Sequence, residues 1–153
     1  MKIETFEELD AWKVARKLAN LIYDFSKNDF FSRDYGFREQ IRKAAVSVMN
    51  NLAEGFERGS NKDFIKFVFI SKASAGEVRS MLYLALDQGY IDNDQFQSAY
   101  KLSVRSSKLC WGLIKYLRKN DDWKTGCVKE DEELYDCNNH DIEQVQRSRE
   151  AAF

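Results

Sequence analysis

The sequence predicts an all-α protein, an up-down-up-down four-helix bundle followed by an acidic C-terminal extension. Three observations point there. No proline occurs in 153 residues, where average usage of about 5% would supply roughly seven. Apolar residues recur at three- and four-residue steps, the period of a helix with one buried stripe. Capping residues and glycines punctuate those stretches at intervals that suit long helices with short connections, and short connections force neighbouring helices antiparallel.

Thr5-Phe6-Glu7-Glu8 has the capping-box form, in which hydroxyl and carboxylate satisfy orphan backbone donors. Leu9, Trp12, Ala15, Ala19, Ile22 and Phe25 follow at helical period, predicting a first helix to about Lys27. A connection over 28–32 leads to a second helix from Arg33, with Ser32 as N-cap. Its buried face is Phe37, Ile41, Ala44, Ala45, Val48 and Leu52, and Gly55 and Gly59 bracket its exit. Ser60-Asn61-Lys62-Asp63 caps a third helix that runs to Gly89, a natural C′ residue. Asp92-Asn93-Asp94-Gln95 opens a fourth, ending near Lys119, with Phe96, Ala99, Cys110, Leu113 and Leu117 inward and Ser103 and Ser106 thinning that stripe. Each helix is expected to hold 20 or more residues, or about 30–40 Å at 1.5 Å per residue.

The third helix begins unusually. From Phe64 to Ile70 only Lys66 is polar, so apolar side chains cover most of the circumference. A monomeric bundle covers one stripe of each helix. Phe64, Phe67, Phe69 and Ile70 are therefore expected to serve as core and as an interface with further copies.

Charge divides the chain at residue 120. Residues 1–120 carry 20 Lys+Arg and 15 Asp+Glu, a balance of +5, whereas residues 121–153 carry 4 and 10, a balance of −6. The domain expected over 1–120 is thus mildly basic. The tail over 121–153 is acidic, with a short helix expected over 141–152 and Trp123 and Tyr135 placed to pin it to the body. Such a tail either solubilises the chain or competes with an anionic partner for the basic body. The longest apolar run, Met81 to Leu86, is far too short to span a bilayer, and the charged amino terminus lacks a signal peptide's apolar core. Three cysteines make no disulfide framework. These features predict a soluble, reduced, cytoplasmic protein with no membrane partner.

On the fourth helix Lys101, Arg105, Lys108, Lys115 and Lys119 stand at offsets 0, 4, 7, 14 and 18, all on one face. A row of cations about 5–6 Å apart suits the phosphates of RNA or DNA, with counterion release as the driving force. Arg38, Arg42 and Lys43 on the second helix, with Arg58, Lys62 and Lys66 beyond, extend the expected patch. Chemistry of other kinds finds little support. Cys127, Cys137 and His140 include no Cys-x-x-Cys pair, and structural zinc wants four ligands at tight spacing. His140 has no companion for triad chemistry. Glu54 and Glu77 fall among apolar neighbours, which predicts partly buried carboxylates hydrogen-bonded across helices rather than acid catalysts. No catalytic residue, metal or cofactor is expected.

The run YGFREQIRKAAVSVMNNLAEGFERGSNKDFIKFVFISKASAGEVRSMLYLALDQGYI, from Tyr35 to Ile91, resembles the four-helix bundle proteins encoded in intervening sequences of bacterial 23S ribosomal RNA genes. So does the opening Phe6-Glu7-Glu8-Leu9-Asp10-Ala11-Trp12-Lys13. The most specific pieces are Tyr35-Gly36 with Gln40-Ile41-Arg42, Ser47 with Asn51-Leu52-Ala53-Glu54-Gly55, then Arg58, Lys62-Asp63-Phe64 and Ser74 with Glu77. The chain departs from the family pattern at Ser32 and Met49, where the family often has Pro, and at Ala73, where it often has Gly. The resemblance implies a left-handed bundle that assembles into a ring, commonly a pentamer. It also implies kinship with the accessory variability protein of diversity-generating retroelements, which binds a reverse transcriptase and associates with nucleic acid. No catalytic residues are known in this family. The expected function is accordingly a non-enzymatic, homo-oligomeric scaffold that binds RNA or DNA; the alternative is a protein-binding accessory subunit of a reverse transcriptase.

Overall fold

The computed structural model describes residues 3–120. A 3-10 turn at Phe6–Glu8 leads into α1 (Asp10–Phe25), the short α2 (Asp29–Arg33), α3 (Tyr35–Glu57), α4 (Asn61–Asp87) and α5 (Asn93–Lys119). The four long helices form a square in which α3 packs on α4, α4 on α5, and α1 on both α3 and α5. Each therefore neighbours the next in sequence and runs antiparallel to it, as expected. The tail residues Trp123, Cys127, Tyr135, Cys137 and His140, and the helix expected over 141–152, lie outside the described residues.

Two apolar layers fill the bundle. One gathers Leu9, Val14, Val48, Leu52, Phe56, Phe64, Val68, Leu113 and Ile114 at the end holding the start of α1. The other gathers Leu18, Ile22, Phe31, Ile41, Val78, Leu82, Ile91 and Phe96 at the opposite end. Met49 and Leu102 touch both layers.

Several local expectations hold because the groups involved are sequence neighbours. Ser60 Oγ accepts from the backbone of Asp63 at 3.2 Å and donates to its carboxylate at 2.9 Å. Asp92 and Gln95 form a complete capping box. Gly89 takes φ +71°, and the Tyr90 amide donates to Ala85 O at 2.9 Å, closing α4 in a Schellman arrangement.

Others are corrected. The Thr5 side chain caps nothing; Glu8 instead accepts from the Glu4 amide at 3.2 Å, and α1 starts after Leu9 because Phe6 turns back to pack edge-on against Trp12. That leaves α1 with 16 residues, ending at Phe25 rather than Lys27. The connection after it contains α2, held by the fully buried Phe31. Asp34, not Ser32, caps α3: one carboxylate oxygen accepts from the Phe37 amide at 3.1 Å and the other from Tyr90 Oη at 2.9 Å. That acceptance holds the Tyr90 phenol above its ordinary pKa. Tyr90 also stacks on Phe31, so one ring ties the α4–α5 turn to the start of α3.

α3 ends at Glu57, between Gly55 and Gly59 as expected, but Gly55 also has a packing role. It is buried inside α3, and a Cβ there would lie 2.6 Å from Phe67 Cβ and 2.8 Å from Phe64 Cδ2. Upstream on the same interface Ser47 and Ser74 hydroxyls meet at 2.9 Å, and Asn51 Nδ2 donates to Ser47 Oγ at 2.9 Å and to its carbonyl at 2.8 Å. Buried Ser71 donates to Val48 O at 2.6 Å and lies 3.5 Å from Cys110 Sγ. Small and polar residues thus let the two helices approach closely while every hydroxyl in that seam keeps a partner.

Substitution and alkylation both test this packing. Gly55→Ala forces α3 and α4 apart and is expected to destabilise by about 1–3 kcal/mol, the range for overpacking a filled core, read as a lower urea midpoint with unchanged slope. Burial pushes the Cys110 thiol up to about 11, so in a Cys127→Ser/Cys137→Ser background the remaining thiol should resist alkylation at pH 8 until denaturant unfolds the chain. Rapid alkylation of the folded protein would contradict that burial.

Candidate nucleic-acid interface

Every helix has a solvent-facing arc, and the charges on it set what the bundle can attract. From Gln95 to Lys119 there are six Lys+Arg and no Asp or Glu. Lys101, Arg105 and Lys119 are exposed, and Lys108 and Lys115 are half-buried along the helix wall. With Phe96, Ala99, Ser103, Cys110 and Leu117 turned inward, the helical period places this row squarely outward. Lys101, Lys115 and Lys119 form no ion pair among the described residues.

The neighbouring helix adds to it. Tyr23 of α1 and Ser26 just past its end meet Arg42 of α3, which fixes the α3-facing side of α1. Exposed Lys13 and Lys17 lie on the part of its solvent arc turned away from that side. Lys13 reaches Asp10 at 3.4 Å, an exposed pair of the kind worth little; Lys17 has no ion-pair partner among the described residues. Sequence reasoning missed both lysines, because only the packing of α1 beside α5 brings them to the same face.

The other sequence-derived candidates go elsewhere. Arg38 and Arg42 sit on α3, across the diagonal from α5. Arg42 Nε donates to Ser26 Oγ at 2.6 Å and its Nη2 to Ser26 O at 3.3 Å, closing the C-terminal end of α1, where a cation is favoured by the helix dipole. Arg38 Nη1 donates to Ser32 O at 3.0 Å. Arg58 pairs with Glu54 at 2.6 Å and lies over the Phe67 ring at 5.1 Å, and Lys66 pairs with Asp63 at 3.0 Å. Glu54 is exposed and, among the described residues, paired only with Arg58 just past the end of its helix, and Glu77 accepts from Gln40 Nε2 at 3.5 Å at the exposed edge of the α3–α4 seam. Neither carboxylate is held in the core; their apolar sequence neighbours turn inward and leave both on the solvent arc. Among the described residues no cluster of His, Cys, Asp and Glu is arranged to hold a metal ion, and no helix is long and apolar enough to cross a membrane.

The apolar run on α4 is shared between core and surface. Phe64 is wholly buried and so is unavailable to another chain. Phe67 is half-covered beneath Arg58. Phe69, 39% exposed, packs edge-on against Trp111 and under Arg118, while Ile70 is 47% exposed. Further along the same helix Leu84 is equally open.

Comparison with known proteins agrees with this architecture. A crystal structure of a protein of unknown function from the S23 ribosomal protein family of Bacteroides thetaiotaomicron VPI-5482 is similar to the chain, with 26% identity and a TM-score of 0.63, covering 69% of this chain and 98% of the other. No curated protein matches it. The family model described as 23S rRNA-intervening sequence protein matches residues 7–112. That stretch takes in all four helices of the square and all but the end of α5, and the chain belongs to the 23S rRNA-intervening sequence protein family.

Proposed function

We propose that the chain is a non-enzymatic, homo-oligomeric helical scaffold that binds RNA or DNA through the α1–α5 face. The observation that carries this is the outward row Lys101, Arg105, Lys108, Lys115 and Lys119 on a helix stretch with no acidic residue, flanked by Lys13 and Lys17. Such a row neutralises successive phosphates and releases their counterions, a contribution that is independent of base sequence. Membership of a family named for intervening sequences of 23S rRNA supports an RNA as the partner.

Self-association is assigned to the outer face of α4. Ile70 and Leu84 stand fourteen residues apart, about 21 Å along the helix and nearly in line with exposed Glu77 between them, and Phe69 packed on Trp111 lies beside Ile70. Large apolar residues grouped on one face mark a contact with protein rather than with phosphate. In a ring, each subunit presents one copy of the α1–α5 face, and weak faces add through multivalency. A ring of five, as the resemblance implies, is the expected assembly.

Two measurements test these assignments. Charge reversal at Lys101, Arg105 and Lys108 is expected to abolish retention on RNA at physiological salt. It should also lower the slope of log affinity against log salt by about three, one for each phosphate no longer neutralised, with helicity unchanged; unaltered retention would refute the α1–α5 assignment. Ile70→Glu with Leu84→Glu should convert the oligomer to monomer in light scattering at unchanged helicity. A wild-type chain that is already monomeric would transfer this face to a different protein, as in the reverse-transcriptase alternative.

A further inference from the structure

A second surface, on the α1–α3 side of the bundle, has a different chemistry. Three arginines there lie over aromatic rings: Arg16 over Trp12 at 5.7 Å, Arg42 over Tyr23 at 4.7 Å and Arg38 over Tyr35 at 4.8 Å. Trp12 and Tyr23 lie on one side of α1, and the eleven residue steps from one to the other span roughly 16 Å along the helix axis. Arg38 and Arg42 are one helical turn apart on α3, which brings the Tyr23 and Tyr35 pairs next to each other at the α2 end.

These pairs are held, not floating. Arg42 is fixed by two hydrogen bonds to Ser26, and Arg38 by one to Ser32 O. Each guanidinium therefore covers one part of its ring with little loss of side-chain freedom still to come. Yet the rings remain open: Tyr23 is 40% and Tyr35 68% exposed. Beside the Tyr23–Arg42 pair lies a groove of about 510 Å³ that also reaches Glu39, Lys43, Asn50 and Asn51, with the Glu39 carboxylate 4.0 Å from Lys43 Nζ; the Tyr35–Arg38 pair lies outside it, one helical turn along α3. Asn50 is exposed and makes no side-chain hydrogen bond among the described residues, whereas Asn51 uses its amide nitrogen on Ser47 and leaves the oxygen as an acceptor.

On the premise that the chain binds nucleic acid, we propose that this α1–α3 groove and the adjoining Tyr35–Arg38 pair form a single-strand site in which unpaired bases stack on Tyr23 and Tyr35. Every base offers a π-face, so stacking on rigid aromatics selects single strands over duplex without choosing a sequence. Arg38 and Arg42 continue each stack with a planar cation, and Lys43, exposed and 4.0 Å from Glu39, would exchange that carboxylate for a phosphate. The Asn50 amide supplies both a donor and an acceptor for a base edge. The α1–α5 row differs in kind: it is a line of cations along one helix face, whose attraction for duplex and single strand is electrostatic.

Binding of twelve-nucleotide single strands, in RNA and DNA arms, is compared with binding of a duplex of equal length. Fluorescence anisotropy is the readout, on the full chain. Tyr23→Leu/Tyr35→Leu is expected to weaken single-strand binding at least about tenfold, since each stacked base contributes on the order of 1–3 kcal/mol, while duplex binding and helicity stay as in wild type. Tyr23→Phe/Tyr35→Phe should retain wild-type affinity, which separates stacking from damage to the fold. Single-strand affinity unchanged by the leucine pair, or duplex affinity falling with it in parallel, overturns the stacking site and leaves the α5 row standing. If wild-type protein binds neither form, the cationic face and the stacking site are both refuted.

Discussion

Where α3 crosses α4, the backbones come so close that a single methyl group at Gly55 would press within 2.6 Å of Phe67 Cβ. The same interface continues through the hydrogen-bonded side chains of Ser47, Asn51, Ser71 and Ser74. Tight packing here rotates Phe64, Val68 and Val78 inward and sets the angle at which α5 and α1 complete the square. Because cores fill like jigsaws, the rotation of α4 about its axis then decides which of its many apolar residues remain outside.

The hydroxyl and amide groups in that seam shape the fold in a second way. An apolar interface of the same size would tolerate slippage by a turn; Ser71 on Val48 O and Ser47 on Ser74 admit one register, since moving either leaves a buried polar group without a partner. Cys110 completes the line across to α5. At the far end Asp34 plays a comparable part, serving both the α3 amide and the Tyr90 hydroxyl, so that the start of α3 and the α4–α5 turn are fastened by one carboxylate.

A bundle built this way presents outward faces with separate chemistries. The α1–α5 face is cationic, the outer arc of α4 is apolar near Ile70 and Leu84, and the α1–α3 groove alternates arginine with aromatic rings. The segregation follows from the packing, because each helix turns a different set of side chains outward. It also distinguishes two kinds of arginine. Those of α3 have their guanidinium groups oriented by hydrogen bonds and stacked on rings, while α5 presents its row of cations along one open helix face.

Much of the architecture was legible in the residues alone, where the deciding interactions join near neighbours. Helical period, the Ser60 and Asp92 caps and the positive-φ glycines at 59 and 89 depend on contacts within a turn or two, and the α5 cation row needs only the helix pitch. What tertiary structure decided are the contacts between residues far apart in the chain. Gly55 reads locally as one side of a helix end, and the fold makes it a crossing point as well. Asp34 displaces Ser32 as cap because Tyr90, 56 positions later, shares it. Phe64 and Ile70 look alike in sequence, yet packing buries one and exposes the other. Lys13 and Lys17 join the α5 row, and Arg42 finds Tyr23, only once α1 is laid between α5 and α3. Spacing along one helix follows from bond geometry; the choice of which helix faces which follows from volume and polar pairing summed over the whole core.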